Sequence, residues 1–175
     1  KKDFTLDIDA IRSAITSRTK GIIINSPNNP TGVVYNEESL KELGRMLADM
    51  ENQFGSQIFV ISDEPYAKII YDGLVLPSIF NCVKNSIVVT SHSKDLALPG
   101  ERIGYAALSP LMENAGLLME ALVFCNRTLG FVNAPALMQR LVAGLQHESV
   151  DIAGYQEKKD ILYNSLTALG FKMVK

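Results

Sequence analysis

Residues 87–102 read Ile-Val-Val-Thr-Ser-His-Ser-Lys-Asp-Leu-Ala-Leu-Pro-Gly-Glu-Arg. The apolar, β-branched run at 87–90 predicts a buried strand. Two serines, a lysine and a Pro-Gly turn follow it, and lysine is rarely placed beside a buried strand unless it is paired or chemically used. Lys94 is therefore a candidate amine nucleophile toward a carbonyl, and the planar guanidinium of Arg102 suits a phosphate.

Three further segments have the composition of strands in the same sheet. Residues 22–25 and 58–62 are largely apolar runs bounded by turn residues, which is typical of strands buried on both faces of a parallel sheet. Residues 104–108 form a fourth, short strand. The first three strands should be parallel neighbours in chain order, because crossover segments separate them. The fourth should be antiparallel, because the connection that contains Pro99-Gly100 has no room for a crossover helix.

Two helices are predicted between these strands. A short helix spans residues 6–16 with Asp7 as its N-cap, and a longer one opens at Asn36 and ends before Gly55. The buried stripe of the longer helix has a helical spacing and consists of Leu40, Leu43, Leu47 and Met50.

Three more helices are predicted after the last strand, over residues 111–125, 134–145 and 151–169. The first is apolar on most faces, which predicts that it is well covered by other elements. Pro135 is tolerable in the first turn of the second helix. The third has an apolar stripe that consists of Ile152, Tyr155, Leu162, Leu166 and Leu169, and Gly170 suits its C-terminal end.

Alternating strands and helices predict an α/β fold, with a mainly parallel sheet of about four strands and helices on both faces. The chain has 175 residues, of which 47% are hydrophobic, and this suits one domain. A net charge of −2 gives no basic field for nucleic acid, and no apolar run approaches the roughly 20 residues of a membrane span. Two cysteines and two histidines, widely spaced, predict no metal site and indicate reduced thiols in a cytoplasmic protein.

Polar motifs follow three of the predicted strands. They are Asn28-Asn29-Pro30-Thr31-Gly32, Ser62-Asp63-Glu64-Pro65-Tyr66 and the S-x-x-K sequence at 91–94. Ligands of parallel α/β sheets bind beyond the carboxyl ends of the strands. The three motifs therefore predict a single site at that edge of the sheet.

These motifs, with Leu98-Pro99-Gly100-Glu101-Arg102-Ile103-Gly104-Tyr105 downstream, resemble the class I/II aminotransferases of the aspartate aminotransferase fold. The resemblance covers nearly the whole chain. It implies a pyridoxal 5'-phosphate (PLP) enzyme of fold type I that transfers an amino group between an amino acid and a 2-oxo acid. It also implies a role in amino acid metabolism, biosynthesis included, and a cytoplasmic homodimer.

The same resemblance implies that residues 1–150 are the central part of the PLP-binding large domain. Residues 151–175 would form a helix that leads into a C-terminal small domain. The family's phosphate loop and ring-stacking aromatic precede this segment, and its carboxylate-binding arginine follows it. The 175-residue piece by itself is therefore expected to be a truncated, inactive fragment of an enzyme.

The resemblance also assigns catalytic roles. Lys94 would carry the imine with the cofactor aldehyde and move the proton between the substrate Cα and the cofactor. Asp63 would face the pyridinium nitrogen and keep it protonated. Asn29 and Tyr66 would donate hydrogen bonds to the ring hydroxyl.

Three residues of the lysine loop would hold the cofactor phosphate. Ser91 and Arg102 match the family pattern most clearly, and Ser93 is a weaker candidate. His92 lies outside the common pattern and is interpreted as a neighbour of the site, while Asp95 is expected to pair with a nearby cation.

Two other functions use the same motifs. A PLP-dependent β-lyase shares the fold, although the Asp-Glu-Pro-Tyr form at 63–66 favours an aminotransferase. An aminotransferase-like domain that senses a ligand without catalysis would also retain these residues. The S-x-x-K sequence occurs in serine penicillin-binding enzymes too, but this chain has neither of their S-D-N and K-T-G motifs.

Overall fold

The computed structural model describes residues 3–173, which contain six helices and four strands. The helices are α1 (Ile8–Ala14), α2 (Glu37–Phe54), α3 (His92–Asp95), α4 (Ala115–Thr128), α5 (Ala136–Gly144) and α6 (Ile152–Ala168). The strands are β1 (Gly21–Asn25), β2 (Phe59–Asp63), β3 (Ser86–Ser91) and β4 (Gly104–Leu108). Short 3-10 turns occur at Ile79–Asn81 and Pro99–Glu101.

The four strands form one sheet in the order β1-β2-β3-β4. The first three are parallel, and β4 runs antiparallel to β3. The α/β class and the predicted order and directions of the strands are therefore confirmed. The reason is the connection lengths, because a helix or a long loop separates each parallel pair, whereas a helical turn and a 3-10 turn suffice between β3 and β4.

One face of the sheet packs on α1 and α2 and carries the hydrophobic core. Ile24 and Val60 point to this face and are 6% and 0% exposed, whereas Ile23, one residue earlier on β1, is 73% exposed. The prediction that β1 is buried on both faces is therefore wrong for the residues described. An unbroken isoleucine run shows that both faces are apolar, but not that both are covered.

Local signals define α2 at both ends. The Asn36 side chain accepts a hydrogen bond from the Ser39 amide, and Gly55 closes the helix with a φ of 62°. Both caps were predicted from the sequence. The predicted stripe faces the core as a buried row, consisting of Leu40, Leu43, Leu47 and Met50 with Met46 beside them.

Gly44 allows α2 to approach the segment before β3. A Cβ at this position would touch the Cys82 carbonyl and lie 3.5 Å from the Cα of Val83. We expect Gly44→Ala to lower the midpoint of thermal unfolding of the intact protein. Overpacking costs about 1–3 kcal/mol, which exceeds the gain of up to about 1 kcal/mol from the higher helix propensity of alanine.

The matched control for this substitution is Gly116→Ala. Gly116 lies in α4, and a Cβ there would have no atom within 4 Å. Helix propensity alone should then act, so the unfolding midpoint should stay the same or rise. Equal effects of the two substitutions would contradict the packing argument.

The helices after β4 differ from expectation in how they are covered. Helix α4 begins at Ala115, not near residue 111, and none of its residues is buried; Leu117 and Phe124 are each 67% exposed. The prediction that this helix is well covered is therefore wrong among the residues described. Helix α5 begins after Pro135, which is its N-cap and lies just outside the first turn.

The stripe predicted for α6 is also largely open, since Leu162 and Leu169 are 60% and 75% exposed. The ends of this helix match expectation better, with Asp151 as the N-cap and Gly170 in the left-handed region after the last turn. None of the helices in the described part of the chain is long and apolar enough to cross a membrane.

Candidate active site

The carboxyl ends of the parallel strands place three of the predicted motifs at one edge. In the sheet register, Asn25 lies beside Asp63 and Asp63 lies beside Val89, two residues before Ser91. Side chains alternate along a strand, so these four residues share one face of the sheet. It is the face opposite α1 and α2, on which Ile23 is exposed.

The loop after β1 brings Asn29 to Tyr66. The Asn29 Nδ2 donates to the Tyr66 hydroxyl at 3.2 Å, although the two residues are 37 positions apart in the chain. The loop is shaped by Asn28, whose Oδ1 accepts from the Thr31 hydroxyl at 2.7 Å and whose carbonyl accepts from the Gly32 amide at 2.7 Å. The structure thus joins the two residues that were predicted to donate to one ligand oxygen.

Asp63 lies at the end of β2 with its side chain half-buried. Burial raises the pKa of its carboxyl group above the ordinary value. The charged form of this carboxylate would therefore be stabilised by a cation placed beside it. This environment suits the predicted role of facing a protonated ring nitrogen.

Asn25 links Asp63 to the loop after β1. Its Nδ2 donates to the Asp63 carbonyl at 2.9 Å and to the Asp63 Oδ2 at 3.4 Å. Its Oδ1 accepts from the Asn29 amide at 2.8 Å. From the sequence, Asn25 was interpreted only as the end of a strand. Its position, as a polar residue between an isoleucine run and a polar motif, was the signal that it belongs to the site.

Lys94 lies in the single helical turn α3, directly after β3. Its side chain is exposed, and its Nζ is 6.0 Å from the centroid of the Tyr66 ring. This is the outer range of a cation–π contact. Lys94, Tyr66 and Asn29 therefore form a row along the edge of the sheet.

Gly104 allows β4 to approach the lysine turn closely. It pairs with Ser91, and a Cβ at Gly104 would touch the Thr90 carbonyl and lie 2.9 Å from the Cα of Ser91. The His92 amide also donates to the Ile103 carbonyl at 3.0 Å. The glycine after Arg102-Ile103 is thus required where the two strands meet.

The residues predicted to bind the phosphate lie near one another because of the path of the backbone, and not because their side chains contact each other. Arg102 adopts a left-handed conformation with a φ of 51°, and its Nη1 donates to the Pro99 carbonyl at 2.8 Å. Ser91 and Ser93 are half-buried in the adjacent turn. Phosphate binding by Arg102, Ser91 and Ser93 therefore stays a prediction.

Glu64 turns away from Asp63 and accepts a hydrogen bond from the Ser62 hydroxyl at 2.7 Å. Burial raises the pKa of its carboxyl group above the ordinary value.

A carboxyl group whose pKa is raised by folding makes the protein less stable as the pH rises from the unfolded-state pKa through the folded-state pKa. We expect Glu64→Gln, which keeps an acceptor for Ser62, to raise the unfolding temperature at pH 7.

The gain should disappear near pH 4, where the glutamate is largely protonated in both the folded and the unfolded chain. Thermal unfolding of the two proteins from about pH 4 to about pH 8 measures this difference. A constant difference across the range would show that the charge of Glu64 is not its cause.

The family profile described as aminotransferase class I and II matches residues 1–175. A probable aspartate/prephenate aminotransferase of Thermus aquaticus is 30% identical over 177 residues, which cover 100% of this chain and 44% of that protein. An aspartate aminotransferase of a Bacillus species is 32% identical, with the same two coverages.

Solved structures agree with these relatives. An aminotransferase from Eubacterium rectale superposes with a TM-score of 0.96 at 41% identity, over 99% of this chain and 44% of that one. An aspartate aminotransferase variant from Thermus thermophilus gives a TM-score of 0.77 at 29% identity, over 98% of this chain and 46% of that one. The chain thus spans somewhat less than half the length of these relatives, and it belongs to the aminotransferase class I and II family.

Proposed function

We propose that the protein carrying this chain transfers an amino group between an amino acid and a 2-oxo acid, with PLP as its cofactor. The observation that carries the proposal is the convergence of Lys94, Tyr66, Asn29 and Asp63 at the carboxyl edge of one sheet. The relatives that span the whole chain are named as aminotransferases, which supports the same reaction.

The donor set at this edge fits the cofactor. Lys94 offers an exposed primary amine for an aldehyde. Asp63 offers a half-buried carboxylate whose raised pKa would fall beside a cationic ring nitrogen. Asn29 and Tyr66 offer an amide and a hydroxyl already in contact, so a single ligand oxygen can reach both.

When bound, PLP supplies an electron sink that stabilises negative charge at the amino-acid Cα. Lys94 Nζ would take the proton from that Cα and return it on the cofactor side, since it is the mobile amine at this edge. Asp63 would hold the proton on the ring nitrogen. The Asn29 Nδ2 and Tyr66 hydroxyl would donate to the ring oxygen, and Ser91, Ser93 and Arg102 would hold the phosphate.

We propose the same domain organisation, assembly and location for the intact protein as the family resemblance implies. Residues 1–150 would form the central part of a cofactor-binding large domain, and 151–175 would lead toward a small domain. The intact enzyme would be a cytoplasmic homodimer.

The test is a reaction of the intact protein, with added PLP, against a panel of amino acids. An aminotransferase releases the matching 2-oxo acid, without free ammonia, and passes the amino group to a second 2-oxo acid. Release of pyruvate together with ammonia would instead identify a β-lyase. Tight amino-acid binding without any released product would identify a sensing domain, and both results would reject the proposal.

A further inference from the structure

A buried charged cluster lies directly behind the Lys94 turn. His92 and Asp95 are 4% and 6% exposed. The Asp95 Oδ2 lies 3.1 Å from His92 Nδ1 and 3.4 Å from the Nζ of Lys68, and its Oδ1 accepts from the Leu96 amide at 2.9 Å. Burial of a carboxylate is costly unless it is paired and hydrogen-bonded, and every side-chain oxygen of Asp95 has a partner.

The same cluster holds the connection between α5 and α6, residues 145–151. The Lys68 Nζ donates to the carbonyls of Gln146 at 2.8 Å and Glu148 at 3.2 Å. The Val150 amide donates to the Asp95 carbonyl at 2.8 Å. The connection is thus tied to the lysine turn through both the backbone and the Lys68 side chain.

Three segments that are distant in the sequence meet at Asp95, two through its carboxylate and the third through its backbone carbonyl. Lys68 is two residues after Tyr66, Asp95 is the next residue after Lys94, and Val150 precedes α6. Asp95 is the buried partner of this ion pair, whereas the Lys68 side chain is 34% exposed. Removing Lys68 would leave the buried charge of Asp95 without one of its partners, which is costly. The cluster therefore restrains the two residues, Lys94 and Tyr66, that the proposed reaction needs side by side.

We propose that Asp95, held by His92 and Lys68, is a positioning residue that fixes the Lys94 turn against the Tyr66 loop and the connection at 145–151. The proposal rests on the proposed function for its catalytic consequence. It goes beyond that function because Asp95 is buried behind the Lys94 turn and is assigned no contact with the substrate or the cofactor. Its effect on the reaction comes through the placement of the Lys94 amine.

The test compares Asp95→Asn and Lys68→Met with Asp72→Asn in the intact protein. The Asp95→Asn substitution keeps the size of the side chain but removes the negative charge that pairs with Lys68. The Lys68→Met substitution keeps the apolar part of a side chain that is only partly buried, so this variant is expected to fold. Asp72→Asn is the matched control, because it weakens a lysine–aspartate pair with Lys159 that joins the same loop to α6 and leaves Asp95 intact.

The first measurement is hydrogen exchange by mass spectrometry. We expect faster exchange in the peptides that cover 92–98 and 145–151, in both Asp95→Asn and Lys68→Met, because the two segments share this cluster. Exchange of 92–98 should be unchanged in Asp72→Asn. Unchanged exchange of these peptides in Asp95→Asn would overturn the proposal whatever the activity of the protein.

The second measurement is steady-state kinetics. We expect kcat to fall by about tenfold or more in Asp95→Asn, since small errors in placement slow a reaction strongly. The KM for the amino acid should change much less, and Asp72→Asn should keep the wild-type kcat. The loss of kcat in the double variant of Asp95 and Lys68 should be smaller than the product of the two single losses, because the two residues are in contact and their effects are coupled.

The outcomes of the two measurements are distinct. A wild-type kcat in Asp95→Asn, in a protein that does transfer amino groups, would overturn the positioning role even if exchange is faster. A wild-type protein that transfers no amino group would reject the proposed function, and the exchange measurement would still decide whether Asp95 fixes the turn.

Discussion

Replacing Lys94 with alanine in the intact protein is expected to lower the rate of amino transfer by about 10⁴-fold or more. A positioned proton-transfer group contributes about 10²–10⁴-fold, and loss of the covalent anchor adds to this. The fold should not change, because the Lys94 side chain is exposed and its described contact is the distant one with the Tyr66 ring. Exposed substitutions of this kind usually alter stability by no more than about 0.5 kcal/mol.

Borohydride reduction followed by peptide mapping gives an independent measurement, since it fixes a pyridoxyl group on the lysine that holds the cofactor. The group should be found on Lys94 in the wild-type protein. Lys84→Ala is the matched control, because Lys84 is an exposed lysine that pairs with Glu113. A pyridoxyl group on Lys68 or Lys84, or normal turnover by Lys94→Ala, would refute the assignment.

Asp63→Asn is expected to cut amino transfer by about 10²-fold or more, because it removes the charge that would keep the ring nitrogen protonated. The two side chains are nearly equal in size, and the amide that replaces the carboxylate would still offer an oxygen to the Nδ2 of Asn25. The fold should therefore be retained. Initial rates at saturating cofactor measure the effect, and the unfolding temperature checks the fold.

Asp49→Asn provides the comparison, because Asp49 forms an exposed ion pair with Arg12 at 3.6 Å. Such surface pairs contribute little to stability, so this variant should keep both its fold and its rate. Activity of Asp63→Asn within a few-fold of wild type would remove Asp63 from the catalytic role.

The sheet and the edge that carries the site were accessible from the sequence because the deciding signals are local. Asn36 and Gly55 define the ends of α2 through their own hydrogen bonds and backbone angles. The short connection between Lys94 and Gly104 fixes the direction of β4. These features depend on residues within a few positions of one another, so the linear sequence is enough to identify them.

Features that depend on distant partners were harder to predict. The exposure of Ile23 and Phe124 depends on which segment covers a face, and apolar character alone carries no information on that point. Asn25 is linked to Asp63 over 38 positions, and Lys68 reaches Gln146 over 78. Asp95 was correctly expected to pair with a cation, but nothing near it in the sequence identifies Lys68 as that cation.

The antiparallel pairing of β4 with β3 also affects the order in which the parts of the site form as the chain folds. Only about a dozen residues separate Ser91 from Gly104, and the entropic cost of closing a loop grows with its length. The contact of Asn29 with Tyr66 closes a much longer loop, of 37 positions. Chain entropy therefore favours early formation of the hairpin that carries the Lys94 amine and the Arg102 guanidinium. The Asp63 carboxylate and the Tyr66 phenol would be added later. A complete chain that folds from the unfolded state would thus form the segment with the groups proposed to bind an aldehyde and a phosphate before it adds the groups proposed to control the reactivity of the ring.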